Sequence, residues 1–145
     1  MNKDLIANAD IKINASPDLV WDALINPEKI KVYLFGTKTS SLWTPGSEIV
    51  FEGEYQGQHY RDKGKITAIE GNKILEYTYW TGFSGLEDKE ENYSLVRFEL
   101  KKEGSTTLLL LTQAGFPSEQ AAGHSSQAWK QILEAIKKLV EETRA

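Results

Sequence analysis

Hydrophobic and polar positions alternate in two distinct rhythms along this chain, and the change of rhythm divides it into elements. Ala9, Ile11 and Ile13 alternate with Asp10, Lys12 and Asn14, the period of a strand buried on one face. Ser16-Pro17-Asp18 follows: an N-cap oxygen, a proline at the first helical position, and a carboxylate at the positive end of the helix dipole. Leu19, Val20, Ala23 and Leu24 then form an apolar face, so strand and helix together span 9–25. Asn26-Pro27 ends that helix and opens a second, carrying Ile30, Tyr33 and Leu34 before Gly36 stops it. The pair predicts a short V of helices laid across a sheet.

From Trp43 to Phe116 the punctuation has hairpin spacing. Pro45-Gly46, Gly57, Gly71-Asn72 and Gly104 separate runs rich in Ile, Val, Thr, Tyr and Phe, which predicts strands at 48–55, 59–69, 73–80, 92–101 and 105–114. With the strand near the N-terminus these make six, and their short links favour antiparallel neighbours. The longest link, 81–91, holds Gly82, Gly85 and a solvated acidic run. It reads as a mobile lid with Phe83 at its apolar tip.

A single amphipathic helix over 118–142 closes the chain. Trp129, Ile132, Leu133, Ile136, Leu139 and Val140 keep the i, i+3, i+4, i+7 spacing, while Lys130, Glu134, Lys137, Lys138 and Glu141 take the other face. Upstream, the apolar stripe continues as the small residues Ala121, Ala122 and Ser125. Large side chains in the C-terminal half predict solid packing on the sheet. Small ones in the N-terminal half predict a cavity wall.

At 145 residues the chain is expected to form one domain, 1–145. A net charge of -4 lacks the basic stripe that nucleic acid requires. The absence of cysteine removes disulfides and thiolate metal sites and suits a reducing cytosol. With no signal-like run at the N-terminus and no apolar stretch long enough for a membrane span, the expected location is cytoplasmic. His59 and His124 have no close His–carboxylate ligand spacing, and His124 shares one helix with Ser125 and Ser126, where neighbours do not face one another. No metal site, cofactor or catalytic residue is therefore assigned.

The run NASPDLVWDALINPEKIKVYL, the pair VRFELKKEGSTTLLLLTQAGFP and the closing AWKQILEAIKKL resemble, in order and spacing, the START-like (SRPBCC, helix-grip) superfamily. Within it they are most similar to the group typified by the C-terminal domain of the activator of the heat-shock-protein-90 ATPase. The resemblance implies an α+β helix-grip fold: a curved six-stranded antiparallel sheet around the long C-terminal helix, two short helices after the first strand, and an apolar tunnel between sheet and helix. On that template Leu75, Tyr77, Tyr79 and then Leu109, Leu111, Gln113 face the concave side, with Tyr33, Phe35 and Trp43 at the mouth. Many relatives carry a histidine where this chain has Ser125, and another where it has Gln113, so the pocket is less equipped for acid–base chemistry.

The resulting ligand-contacting set is Tyr33, Phe35, Trp43, Tyr77, Tyr79, Phe83, Gln113, Ser125 and Trp129. Gln113, Tyr77 and Tyr79 supply its polar end, so Gln113→Leu is expected to weaken binding and spare stability. The leading function is non-enzymatic binding of a small apolar ligand, lipid-like or aromatic. A co-chaperone role through a protein surface, with a chaperone as partner, and a cyclase- or aromatase-like activity are the alternatives. The last lacks a residue with a proton-transfer task.

Overall fold

The computed structural model describes residues 1–143; the last two positions of the expected 1–145 domain lie outside the described residues. The elements run β1 (Asn2–Ile13), α1 (Pro17–Ile25), α2 (Pro27–Tyr33), β2 (Lys38–Ser41), β3 (Glu48–Tyr55), β4 (Gln58–Glu70), β5 (Ile74–Tyr79), β6 (Ser94–Glu103), β7 (Thr106–Phe116) and α3 (Glu119–Thr143). The sheet is antiparallel throughout, in the order β1-β7-β6-β5-β4-β3-β2. No helix among the described residues is long and apolar enough to cross a membrane.

The sheet has seven strands, not the six that the sequence predicts. The additional one, β2, reads Lys-Thr-Ser-Ser and carries no hydrophobic alternation. It exists because β3 offers it a ladder, Thr39 opposite Phe51 and Ser41 opposite Ile49. Strand β1 also begins earlier than its apolar alternation, at Asn2, through pairing with β7 across an irregularity between Asn2 and Ile6. The other predicted strands and the long helix fall within two or three residues of their observed ends.

Helix α1 starts as the sequence predicts, but by a different bond. Ser16 occupies the N-cap position without a side-chain cap, because its hydroxyl donates to the Asp18 carboxylate. Asn26 does cap α2, its Oδ1 accepting from Glu28 N at 3.1 Å. Val20, Trp21, Ala23 and Leu24 of α1 and Ile30 and Tyr33 of α2 are buried against the concave face. Leu133, Ile136 and Val140 of α3 complete the core, each apolar side chain contributing about 1.5–3 kcal/mol on burial.

Gly64 makes a close backbone approach possible between β4 and β5. It is opposite Ile49 of β3, where β4 passes from partnering β3 to partnering β5. A Cβ there would fall 1.6 Å from the carbonyl oxygen of Thr78. Only glycine allows the two backbones to approach this closely.

Candidate functional site

The concave face of the sheet, the helix V and the middle of α3 enclose a small cavity. Its wall is mostly aromatic: Tyr33 and Trp43 from the V and the loop after β2, Phe51, Tyr77 and Phe98 from three strands, and Trp129 from α3. Leu24, Ile30, Leu34, Ile49 and Leu75 fill the gaps between the rings. Phe51 meets Tyr77 with ring centres 5.8 Å apart, and Phe98 meets Trp129 edge-on at 5.7 Å. The enclosed volume is about 30 Å³. That holds a water molecule or two, against roughly 300–1,000 Å³ for a typical small-molecule pocket.

The taper of α3 does not leave its space empty. Ala121 and Ala122 admit Ala7 and Leu5 of β1 and Phe116 at the end of β7, which pack there with Trp129. The strand extension that sequence alternation does not reveal fills the volume that the small helix residues leave.

Four of the nine expected ligand contacts, Tyr33, Trp43, Tyr77 and Trp129, line this cavity. Gln113 and Ser125 lie behind Trp129. The Gln113 side-chain oxygen accepts from Trp129 Nε1 at 2.8 Å and from Ser125 Oγ at 3.0 Å, and its nitrogen donates to Ser94 Oγ at 2.9 Å. Its amide thus links β6, β7 and α3. Tyr79 turns away from that group: its hydroxyl donates to Asp62 Oδ2 at 2.7 Å. The Tyr33 hydroxyl donates to the carbonyl of Ala23 at 2.9 Å. Burial holds the phenols of Tyr33, Tyr77 and Tyr79 above the ordinary tyrosine range, with the Asp62 charge adding to the effect at Tyr79. They are neutral donors at physiological pH.

Phe35 and Phe83 are elsewhere. Phe35 is 87% exposed, at a positive φ in the turn after α2. Phe83 sits in a 3-10 turn, Gly82–Ser84, capped by Thr81, and its ring lies 5.8 Å from Tyr60 and 6.0 Å from Tyr55 on the β3–β4 hairpin. The rest of the 81–91 segment crosses to the convex face. There Asp88 pairs with Lys63 at 2.6 Å and bonds the Tyr93 hydroxyl, and Tyr93 stacks on Trp80. The Lys63 bond, and then the Tyr93 bond, lower the Asp88 carboxyl. Beneath this segment runs an open trough of about 1140 Å³ whose rim mixes Lys3, Lys63 and Lys65 with Glu48, Asp88, Glu90 and Glu91. Neither sign of charge dominates it.

Sequence reasoning does not pick out Phe51 or Asp62. Both were within reach of strand alternation: Tyr60, Asp62, Gly64 and Ile66 share one parity along β4, and Ile66 is plainly core.

A family profile described as Activator of Hsp90 ATPase homolog 1-like protein matches residues 14–141. The chain belongs to that family. The match begins just before α1 and runs almost to the end of α3, so it takes in every residue of the aromatic cavity. Among solved structures, ChR145 from Cytophaga hutchinsonii is 39% identical, with a TM-score of 0.85 over 98% of this chain and 97% of its own. MLL2253 from Mesorhizobium loti is 25% identical, with a TM-score of 0.77 over 95% and 98%. The Aha1 dimer from Colwellia psychrerythraea shares the fold at 19% identity, with a TM-score of 0.72 over 94% and 96%. No curated protein matches the sequence.

Proposed function

We propose that the protein binds a small apolar molecule in the space between the concave sheet, the helix V and α3, without catalysing a reaction on it. The observation that carries this reading is the aromatic wall of Tyr33, Trp43, Phe51, Tyr77, Phe98 and Trp129 around a residual cavity. Rings at that spacing form a surface that a flat or lipid-like guest can replace contact for contact. The ligand enters by displacing side chains at the open side of the V. Trp43 and Leu34 are only half-buried there, so moving them disturbs little of the core.

Titration of the purified protein with 1-anilinonaphthalene-8-sulfonate tests this. One probe should bind per folded chain, quench the tryptophans beside it, and be excluded by Leu34→Trp at an unchanged melting temperature. An absence of probe binding by the folded protein, together with no co-purified mass in native mass spectrometry, would remove the reading.

A second reading rests on a separate observation. Val32, Phe35 and Leu42 stand 60%, 87% and 82% exposed on and after α2 and β2, more apolar surface than one short segment usually leaves to water. These residues support a protein-contact role of the kind named in the family description, activation of the Hsp90 ATPase. Addition of the protein to an Hsp90 would then raise its ATPase rate, and Phe35→Asp would abolish the gain. An unchanged rate removes this reading.

A further inference from the structure

The polar side chains buried in this protein are almost all paired. Thr107 donates to the carbonyl of Ala15, and Gln113 and Ser94 bond each other. Among the described residues, two buried side-chain atoms have no hydrogen-bond partner, Asp62 Oδ1 and Thr39 Oγ1. Both belong to one corner of the concave face. Thr39 and Asp62 are the two cross-strand partners of Phe51, one on β2 and the other on β4, so they flank that ring at the sheet's inner surface.

An unpaired carboxylate oxygen in this position is costly to the folded protein. Asp62 is 8% exposed, and its other oxygen holds one bond, from Tyr79. The basic residues beside it in sequence do not help. Arg61 and Lys63 point to the opposite face, as alternation requires, and pair there with Glu48, Glu52 and Asp88. Among the described residues no donor or cation of the chain faces Asp62 Oδ1.

The surroundings are those of a ligand site. Phe51 is a shared wall: it lines the aromatic cavity, and the Tyr79 ring meets it edge-on at 5.8 Å. On the outer side, Phe83 covers Tyr60, whose hydroxyl bonds Thr37 at 2.6 Å. The Thr81 hydroxyl accepts from Phe83 N at 3.2 Å and holds the turn that carries Phe83.

We propose that Asp62, oriented by Tyr79 and flanked by Thr39, anchors the polar end of the ligand by accepting from a protonated amine, while the apolar body of the ligand lies along Phe51 and the aromatic cavity. The proposal rests on the ligand-binding reading above and specifies the chemical class of the guest. It moves the polar end of the site from Gln113, whose amide is occupied within the protein, to β4.

Decylamine, decanol and decanoate, titrated separately and followed by tryptophan fluorescence, form a set that differs only at the head. The wild type should bind decylamine roughly tenfold or more tighter than decanoate, the preference a charge-assisted hydrogen bond supplies. Asp62→Asn should bring amine and carboxylate within about threefold of each other. Asp62→Leu should lose the preference as well, with a lower melting temperature because the Tyr79 hydroxyl loses its acceptor. If the three probes bind the wild type equally, or if Asp62→Asn keeps the amine preference, Asp62 is not the anchor although the cavity still takes ligands. A crystal structure with decylamine bound and Asp62 Oδ1 satisfied by an ordered water alone overturns the anchor in the same way. If none of the probes binds, the anchor falls together with the ligand-binding reading.

Discussion

Gln113 Oε1 accepts a hydrogen bond from the indole nitrogen of Trp129 at 2.8 Å. The two residues sit on different elements, the last strand and the last helix, and the contact fixes the rotation of α3 against the sheet. Ser125, one turn before Trp129, donates to the same oxygen at 3.0 Å. The glutamine is thus the receptor for two side chains on one face of α3, and Trp129 is held edge-on to Phe98 as a result.

Gln113→Leu should destabilise the protein by about 2–4 kcal/mol, because it strands the Ser125 hydroxyl and the Trp129 indole N–H and leaves Ser94 Oγ only its 3.4 Å bond to the Tyr79 carbonyl. This reverses the stability-neutral outcome that strand alternation alone suggests. The urea midpoint would report it, and a midpoint equal to the wild type's would show that water replaces all three bonds.

A double-mutant cycle on Gln113→Ala and Trp129→Phe should give a coupling energy of about 1–2 kcal/mol, within the range for residues in direct contact. Trp129→Phe keeps a ring against Phe98 and removes the donor, so the cycle isolates the hydrogen bond. Additivity within error would mean that the pair is merely adjacent.

Gly64→Ala should prevent stable folding or cost more than about 4 kcal/mol, among the largest effects open to a single substitution. The added methyl would occupy the position of the Thr78 carbonyl, and two paired strands would have to separate to admit it. Gly71→Ala meets nothing within 4 Å and serves as the control. Similar melting temperatures for the two variants would contradict the close approach.

Alkaline pH should unfold the protein cooperatively with the ionisation of its buried phenols. Tyr33, Tyr77 and Tyr79 have folded-state values raised above the ordinary 10.0, chiefly by burial. The folded state therefore binds more protons than the unfolded state above pH 10, and the stability these groups contribute is complete below that pH and lost as pH rises through and beyond it. Ultraviolet absorbance of phenolate and circular dichroism should then change together. Ionisation of all six tyrosines well before the loss of secondary structure would show the three phenols to be accessible.

Much of the fold is legible along the chain because its signals are local. The stripe from Trp129 to Val140 specifies α3 within a single element, and each glycine-bearing turn from Pro45-Gly46 to Gly104 separates strands that the structure contains. Ser16-Pro17 and Asn26-Pro27 place the helix V for the same reason. Strand β2 escapes because Lys-Thr-Ser-Ser has no pattern of its own; β3 supplies its hydrogen bonds, and pairing is not written in four residues. The first half of β1 is similar, ordered by β7 rather than by its own alternation.

The candidate site divides along the same line. Its residue types were determined by the sequence: aromatic side chains at alternating positions of the strands and at the taper of α3 face inward by periodicity alone. How much room they leave, and which polar groups they leave unpaired, was decided by tertiary structure. Cavity volume is a small difference between large packed volumes contributed by distant segments, here Phe116 and β1 closing against Ala121 and Ala122. Hydrogen-bond satisfaction depends on which atoms meet across the sheet. Gln113 finds Ser94, Ser125 and Trp129, while Asp62 finds Tyr79 alone and keeps one oxygen free. Both side chains are polar residues on the inner face of a strand, and only the register of their neighbours distinguishes a structural tie from an open acceptor.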